Sequence, residues 1–340
     1  MSDENTGSMG WLPRTVCVEF DAKALRRLAR SHIEFPTVGH GNPDLGANSP
    51  TSTISPDGRR AQVSRRLRDE HFVDNLTCAY QAKWDVAGNR LAGMEALARW
   101  LDPELGPVPP GEFVPLAEEE PEIVERLGER VLLMACKQRL EWCALIPDDA
   151  RVAVNISATE LRSGKLHEKV ARCLAQTGLP ARLLEIEITE SAAIIDIAQS
   201  VEQLRELRRE GVDIAIDDFG VGFSCLRYLG TLPASTLKID RSFIQAIEEG
   251  KHRPKLLRAI CGLGHAMHMI VVVEGVESLQ TVKWLRTIGC NVVQGFAISR
   301  PLPAVAFLDW YQGERSIIAA TLDDPSPTFI LPQRRPTGDT

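Results

Sequence analysis

Short β-rich apolar runs alternate with amphipathic stretches of helical period from about residue 76 to 313, and this alternation constrains the chain more than any other feature. A strand, a helix and a further strand in repeated succession close most readily into a parallel sheet wrapped by helices. Strands are expected at 77–84, 90–99, 151–157, 183–189, 212–217, 236–239, 269–274 and 291–294, with helices such as 122–145, 166–176, 197–210, 254–268 and 279–287 between them. Eight strands in this order suggest a TIM-like barrel. The first two are joined by a tight turn at Gly88-Asn89, a hairpin signal, so one strand should run antiparallel to its neighbours. The expected fold is thus α/β, a modified TIM (β/α)8 barrel with one antiparallel strand, at 71–314.

Both ends read differently. Residues 1–70 form an N-terminal extension, partly linker-like, because 35–60 is rich in Pro, Gly, Asn, Ser and Thr and offers little apolar surface to offset ordering entropy. A basic cluster follows at Arg59, Arg60, Arg65, Arg66 and Arg68, read as a solvated helix face or as a regulatory or partner-binding segment. Residues 315–340, rich in proline toward the end, are expected to be a disordered C-terminal tail.

Charge and composition exclude several classes. The 39 Lys and Arg against 46 Asp and Glu give a net charge of −7, with no basic domain to neutralise a row of DNA phosphates. No apolar run approaches the roughly 20 residues of a membrane span. The start, Met1-Ser2-Asp3-Glu4-Asn5, is acidic where a signal peptide is basic and then apolar, so a cytoplasmic location is expected. The eight cysteines are scattered without a C-x-x-C pair and read as reduced thiols.

Polar residues stand where the strands end: Glu95, Asn155, Glu187, Asp217, Asp218, Lys238, Glu274 and Gln294. In a barrel of this kind, strand ends converge on one face and carry the site. Five carboxylates at one mouth are costly without cations. Oxygen donors without His or Cys suit magnesium or manganese better than zinc. Two such ions could hold a water as nucleophile and steady the attacking and leaving oxygens of a phosphodiester, with Lys238 orienting the water or stabilising developing negative charge.

At these residues the chain resembles the EAL-domain family of cyclic di-GMP phosphodiesterases. The resemblance runs through Glu95-Ala96-Leu97, Arg99-Trp100, the run from Pro109 to Glu118, Val154-Asn155-Ile156-Ser157, Glu187-Ile188-Thr189-Glu190, Asp217-Asp218-Phe219-Gly220, Leu237-Lys238-Ile239-Asp240, Glu274-Gly275-Val276-Glu277 and Gln294-Gly295-Phe296. A lone E-A-L triplet signals nothing, whereas the whole set in order over some 200 residues is highly specific.

The resemblance implies an EAL-type barrel that hydrolyses cyclic di-GMP to linear pGpG with two Mg2+ or Mn2+ ions, and that calcium inhibits. It implies Glu95, Asn155, Glu187 and Asp217 as ligands of a first ion, with Asp217 bridging to a second held by Asp218 and Glu274. Lys238 would contact the water, Glu274 alternatively has the position of a general base, and Gln294 would support water and substrate. Gln81 and Arg99 match dinucleotide-binding positions, the arginine through phosphate. Glu190 matches a loop anchor, and a homodimer through the barrel is implied; Glu277 is read either as a loop anchor paired with a basic neighbour or as a residue that touches a metal. The loop after Asp218 departs from the family's D-D-F-G-T-G-Y-S-S at Val221, Phe223 and Cys225, which points to altered loop stability or dimer coupling in an active enzyme. A cyclic di-GMP receptor that does not cleave, acting through protein contacts, is the alternative.

Overall fold

The structure, a computed structural model, describes residues 56–220, 226–248 and 254–324. Its strands are β1 (Leu76–Asp85), β2 (Arg90–Asp102), β3 (Gly106–Val108), β4 (Arg151–Ile156), β5 (Leu184–Thr189), β6 (Asp213–Phe219), β7 (Thr236–Ile239), β8 (Ile270–Val273), β9 (Val292–Gln294) and β10 (Leu302–Pro303). β2 and β4 to β9 pair in parallel in chain order, and β1 closes the ring by pairing antiparallel with both β2 and β9. The barrel is therefore eight-stranded with one antiparallel member, as expected, while β3 and β10 add short antiparallel pairings to β2 and β1.

The parallel strands are nearly continuous apolar runs because both faces are covered. Val152, Val154, Ile186, Ile188, Ile214, Ile216, Val271 and Val273 are all buried. The hairpin between β1 and β2 turns at Asn89, whose positive φ of 49° suits asparagine, and its side chain accepts a 3.2 Å hydrogen bond from Trp84 Nε1. The register shifts between Lys83 and Trp84. Among the described residues no helix is long and apolar enough to cross a membrane.

Two boundary expectations change. The last helix, Ala304–Asp323, runs past residue 314, so 315–323 is not tail: Ile318 and Leu322, one turn apart, are buried and continue the apolar face begun by Phe307, Trp310 and Tyr311. Residues 325–340 lie outside the described residues, as do 1–55. The basic cluster is also more than a solvated face. The helix Pro56–Leu67 buries Val63 and Leu67, and its arginines meet carboxylates of the barrel's first βα segment. Arg59 pairs with Glu112 at 3.1 Å and Arg60 with Glu119, and Arg68, just past the helix, with Glu120 at 2.7 Å. Arg66 reaches Asp102 at 2.8 Å and Glu104 at 3.2 Å.

Most of these pairs are exposed and contribute little each. Arg66 differs because its partner Asp102 is 1% exposed and also accepts the Glu104 and Leu105 N–H groups. Arg66→Met should therefore lower the thermal midpoint by several degrees and Arg60→Met by about one degree or less. Equal midpoints for the two variants in a thermal melt would remove the distinction.

Candidate active site

The strand ends deliver their side chains to one mouth through register. Gln81 stands opposite Glu95 across the antiparallel pair, Asn155 beside Glu187, and Lys83 opposite Gln294. Two adjacent aspartates on a strand would ordinarily face opposite sides. Here Asp218 adopts φ of 55°, the register against β7 shifts between Ile216 and Phe219, and Asp217 Oδ1 accepts the Asp218 N–H at 2.8 Å. The strand end thus turns back on itself, leaving Asp217 buried and Asp218 exposed.

Lys238, 1% exposed, occupies the centre. Its Nζ donates to Glu187 Oε2 at 2.7 Å and Asp217 Oδ2 at 2.8 Å, and stands 2.7 Å from Glu274 Oε1 and 3.9 Å from Glu95 Oε2. The Glu274 approach is an ion pair without hydrogen-bond geometry, since Glu274 Oε1 has no hydrogen-bond partner among the described residues. Glu95 is held from two sides: Asn155 Nδ2 donates to its Oε1 and Gln294 Nε2 to its Oε2, each at 2.6 Å. Gln294 Nε2 also reaches Gln81 Oε1 at 3.1 Å, and Gln81 Nε2 donates to the Ser299 carbonyl at 3.0 Å.

Below this layer lies a pair that the strand-end pattern did not include. Lys83 Nζ donates to Glu185 Oε1 at 2.5 Å and to Glu187 Oε1, while Thr236 Oγ1 donates to Glu185 Oε2 at 3.2 Å. Both oxygens of the fully buried Glu187 are thus engaged by lysines from opposite sides. The signal was present as period two: Lys83 follows Gln81 by two residues and Glu185 precedes Glu187 by two.

Electrostatics follow from this packing. Burial alone would raise the Glu187 carboxyl, but Lys238 and Lys83 outweigh it and hold the group down at about 2. Burial opposes the charged form of Lys238, yet Glu187, Glu95, Glu274 and Asp217 together keep it firmly protonated. One ammonium cannot serve four carboxylates equally. Burial pushes Glu274 up to about 8, with the charges of Asp217, Glu95 and Glu187 adding to the effect, and burial also raises Glu95, Asp217 and Asp218.

Six carboxylates, Glu95, Glu185, Glu187, Asp217, Asp218 and Glu274, face two lysines, a formal excess of four negative charges. Among the described residues no three His, Cys, Asp or Glu side chains close into a coordination shell by themselves, because Lys238 stands between them. The donor set nevertheless fits hard divalent cations. It is all oxygen, it carries excess negative charge, and Glu274 Oε1 and Gln294 Oε1 are buried without hydrogen-bond partners.

The remaining expected residues lie around this centre. Arg99 is half-buried on β2, four residues beyond Glu95; burial lowers its pKa, and Nη1 donates to the Ala98 carbonyl at 2.8 Å. Buried Glu190 accepts the Gly220 N–H at 3.2 Å, at the start of the loop after Asp218. Val221, Phe223 and Cys225 lie outside the described residues. Glu277 is exposed and has no hydrogen bond or ion pair among the described residues, so the structure does not bring it in with the others. Phe296, two residues after Gln294, is half exposed under the Arg300 guanidinium, 4.2 Å from its ring centroid.

Comparison with known proteins agrees with this geometry. Residues 63–301 match the EAL domain family. The cyclic di-GMP phosphodiesterase NbdA of Pseudomonas aeruginosa is 37% identical over 254 residues, covering 75% of this chain and 32% of NbdA. The bifunctional diguanylate cyclase/cyclic di-GMP phosphodiesterase MucR of the same organism is 40% identical over 247 residues, covering 73% of this chain and 36% of MucR. A solved structure of the PaMucR phosphodiesterase in complex with c-di-GMP matches with a TM-score of 0.68 at 39% identity, covering 72% of this chain and 99% of that one. The chain spans about a third of the length of the curated relatives it matches.

Proposed function

Because the chain belongs to the EAL domain family, we propose that it hydrolyses cyclic di-GMP to the linear dinucleotide pGpG, using two divalent ions, magnesium or manganese. The observation that carries this is the excess of carboxylate charge around a fixed lysine, together with the two orphaned oxygens on Glu274 and Gln294. Glu95, Asn155, Glu187 and Asp217 would hold one ion, and Asp217, Asp218 and Glu274 the other. When bound, the ions would supply charge neutralisation and electrophilic activation of water.

The protein's own groups do the rest. Arg99 has the charge and planar fork to take a phosphate of the ligand. Phe296, exposed beside the mouth and backed by Arg300, offers a flat platform for a purine. Gln294 and Gln81 lock Glu95 in one orientation through their shared hydrogen bonds. Lys238 Nζ holds positive charge against the phosphate oxygens as negative charge develops; in the alternative role of Glu274, as base in place of ligand, its carboxylate accepts the proton that the attacking water loses. Water oxygen bonds to phosphorus, one ester bond to a 3′ oxygen breaks, and that oxygen leaves as a hydroxyl, so the product carries one 5′-phosphate. The same reading has the barrel working as a homodimer, with Glu190 fixing the start of the loop that couples the two halves.

Incubation of the full chain with cyclic di-GMP and magnesium, followed by chromatography, tests the reaction. The expected product is pGpG, and calcium in place of magnesium should stop its formation because calcium's longer, looser coordination misplaces the reacting groups. Unchanged nucleotide that stays bound to the protein would favour the receptor alternative.

Ion uptake should be linked to pH through Glu274. With this carboxyl raised to about 8, an ion must displace its proton at neutral pH, so magnesium affinity should rise with pH until about 8 and then level off. The sign for stability is the reverse. The folded metal-free chain binds this proton more tightly than the unfolded chain, so the Glu274 contribution to stability declines between about pH 4.5 and 8. Calorimetry in two buffers of different ionisation enthalpy measures the released proton; heats independent of buffer would exclude it.

A further inference from the structure

Asn155 enters the mouth from a strand end that the sheet holds on one side only. The pairing of β4 with β2 stops at Val154, opposite Ala96, whereas its pairing with β5 continues to Ile156, opposite Ile188. Beyond Ile156 the ladder is over, and the next main-chain donor goes to a side chain. Glu160 Oε2 accepts the Ser157 N–H at 3.0 Å and the Ser157 hydroxyl at 2.8 Å. We infer that Glu160, backed by Lys169, is a positioning residue for Asn155: its carboxylate fixes the turn after β4 and thereby the direction from which the Asn155 amide enters the site. This rests on the two-ion reading of the mouth, in which Asn155 is a ligand.

The way Glu160 is buried carries the assignment. It belongs to the helix Ala158–Arg162, five residues long, whose N-cap is Ser157, and its own N–H donates back to Ser157 Oγ at 3.2 Å. That reciprocal pair is a complete capping box and uses only one carboxylate oxygen. The other oxygen is taken up inside the protein. Glu160 Oε1 accepts from Lys169 Nζ at 2.7 Å, and the two residues are 2% and 4% exposed. Lys169 comes from the helix Leu166–Thr177 and also donates to Glu125 Oε2 at 2.9 Å. A buried ion pair of this kind stabilises a fold no better than apolar residues of the same volume, so stability alone does not account for it.

The neighbouring helix makes room for the same carboxylate. Gly128 lies inside the helix Pro121–Glu141, and a Cβ there would stand 1.9 Å from Glu160 Oε1. Glycine weakens a helix interior relative to alanine, and here the missing methyl is the space that the carboxylate fills. From Ser157 the path to the mouth is short. Ile156 is buried, and Asn155 Nδ2 donates to Glu95 Oε1 at 2.6 Å, so the Asn155 amide oxygen is the atom that would meet the ion. Glu160 thus acts through the main chain on two of the proposed ligands at once.

Two double variants of the full chain, both free of the buried charges, test this role. Glu160→Gln with Lys169→Met keeps an oxygen for the Ser157 N–H, whereas Glu160→Leu with Lys169→Met removes it and keeps the apolar bulk. Magnesium titration of the metal-free proteins by calorimetry should give wild-type affinity within about twofold for the glutamine pair and about tenfold weaker affinity for the leucine pair, as when a metal ligand loses its supporting partner. Cyclic di-GMP hydrolysis by the leucine pair should need correspondingly more magnesium to reach half its maximal rate. A role confined to packing would move the two variants together, and equal magnesium affinities would overturn the positioning role while leaving the two-ion reading intact. Asn155→Ala, the reference, should lose at least as much affinity as the leucine pair. Unchanged binding in Asn155→Ala, or no magnesium uptake by the wild-type chain, would overturn the two-ion reading itself and with it the role given to Glu160.

Discussion

Lys238→Ala is expected to lower cyclic di-GMP hydrolysis by about a thousandfold or more while leaving the protein able to take up divalent ions. The reason is the position of its ammonium, within 2.8 Å of Glu187, Asp217 and Glu274 and shielded from water. Removing it takes one positive charge from a site that already has an excess of carboxylates, so magnesium binding should tighten. A purely structural defect would weaken both ion binding and turnover. The opposite signs of the two effects therefore separate a role in the reaction from damage to the barrel, and Lys238→Met, which keeps the bulk, should behave in the same way. Glu95→Ala is the complementary case: it removes a carboxylate clamped by Asn155 and Gln294, and turnover and ion affinity should fall together. A wild-type rate in either alanine variant would show that the roles are misassigned.

The legible part of this protein is the part written in repeating patterns. β4 and β8 read as strands because parallel strands covered on both sides need long apolar runs, and Val152 and Val271 are buried accordingly, whereas β5 reads as one by alternating Leu184, Ile186 and Ile188 with Glu185 and Glu187. The antiparallel β1 was legible from Gly88-Asn89. The mouth residues stood out because each interrupts or ends an apolar run at the same end of its strand. Lys83 and Glu185 were harder to find. Their alternation with Gln81 and Glu187 points them inward, but their pairing exists only once the ring closes and β1 faces β5 across the interior. The last helix extends through the apolar run Ile317-Ile318-Ala319-Ala320 to Leu322, of which Ile318 and Leu322 are buried; their weight comes from the surface that they cover, which the run alone does not show. The arginines of residues 59–68 showed a charge run, while most of their acidic partners, Asp69 beside Arg66 aside, lie 36 to 59 residues further along the chain.

The buried pair beneath the mouth gives the second large effect. Lys83→Met leaves Glu185 and Glu187 without the ammonium they share, in an interior where the three side chains are at most 7% exposed. Removing one partner of such a cluster typically costs about 3–5 kcal/mol, and urea unfolding should show a loss of that order. The acid limb should move as well. With its pKa held at about 2, Glu187 contributes stability that is fully present above about pH 4.5 and is lost as pH falls toward 2; with one lysine gone, the loss should begin at higher pH. Adding Glu185→Met to Lys83→Met removes the second stranded charge and should restore much of the stability. Turnover should not follow. Glu187 would still lack its support from below, so kcat should remain about 10- to 100-fold down in both variants, while KM for cyclic di-GMP stays within about twofold because Lys83 lies beneath the layer that faces substrate. If the double variant regains kcat along with stability, Lys83 serves the fold alone. If stability returns and kcat does not, the second lysine positions Glu187 for the reaction.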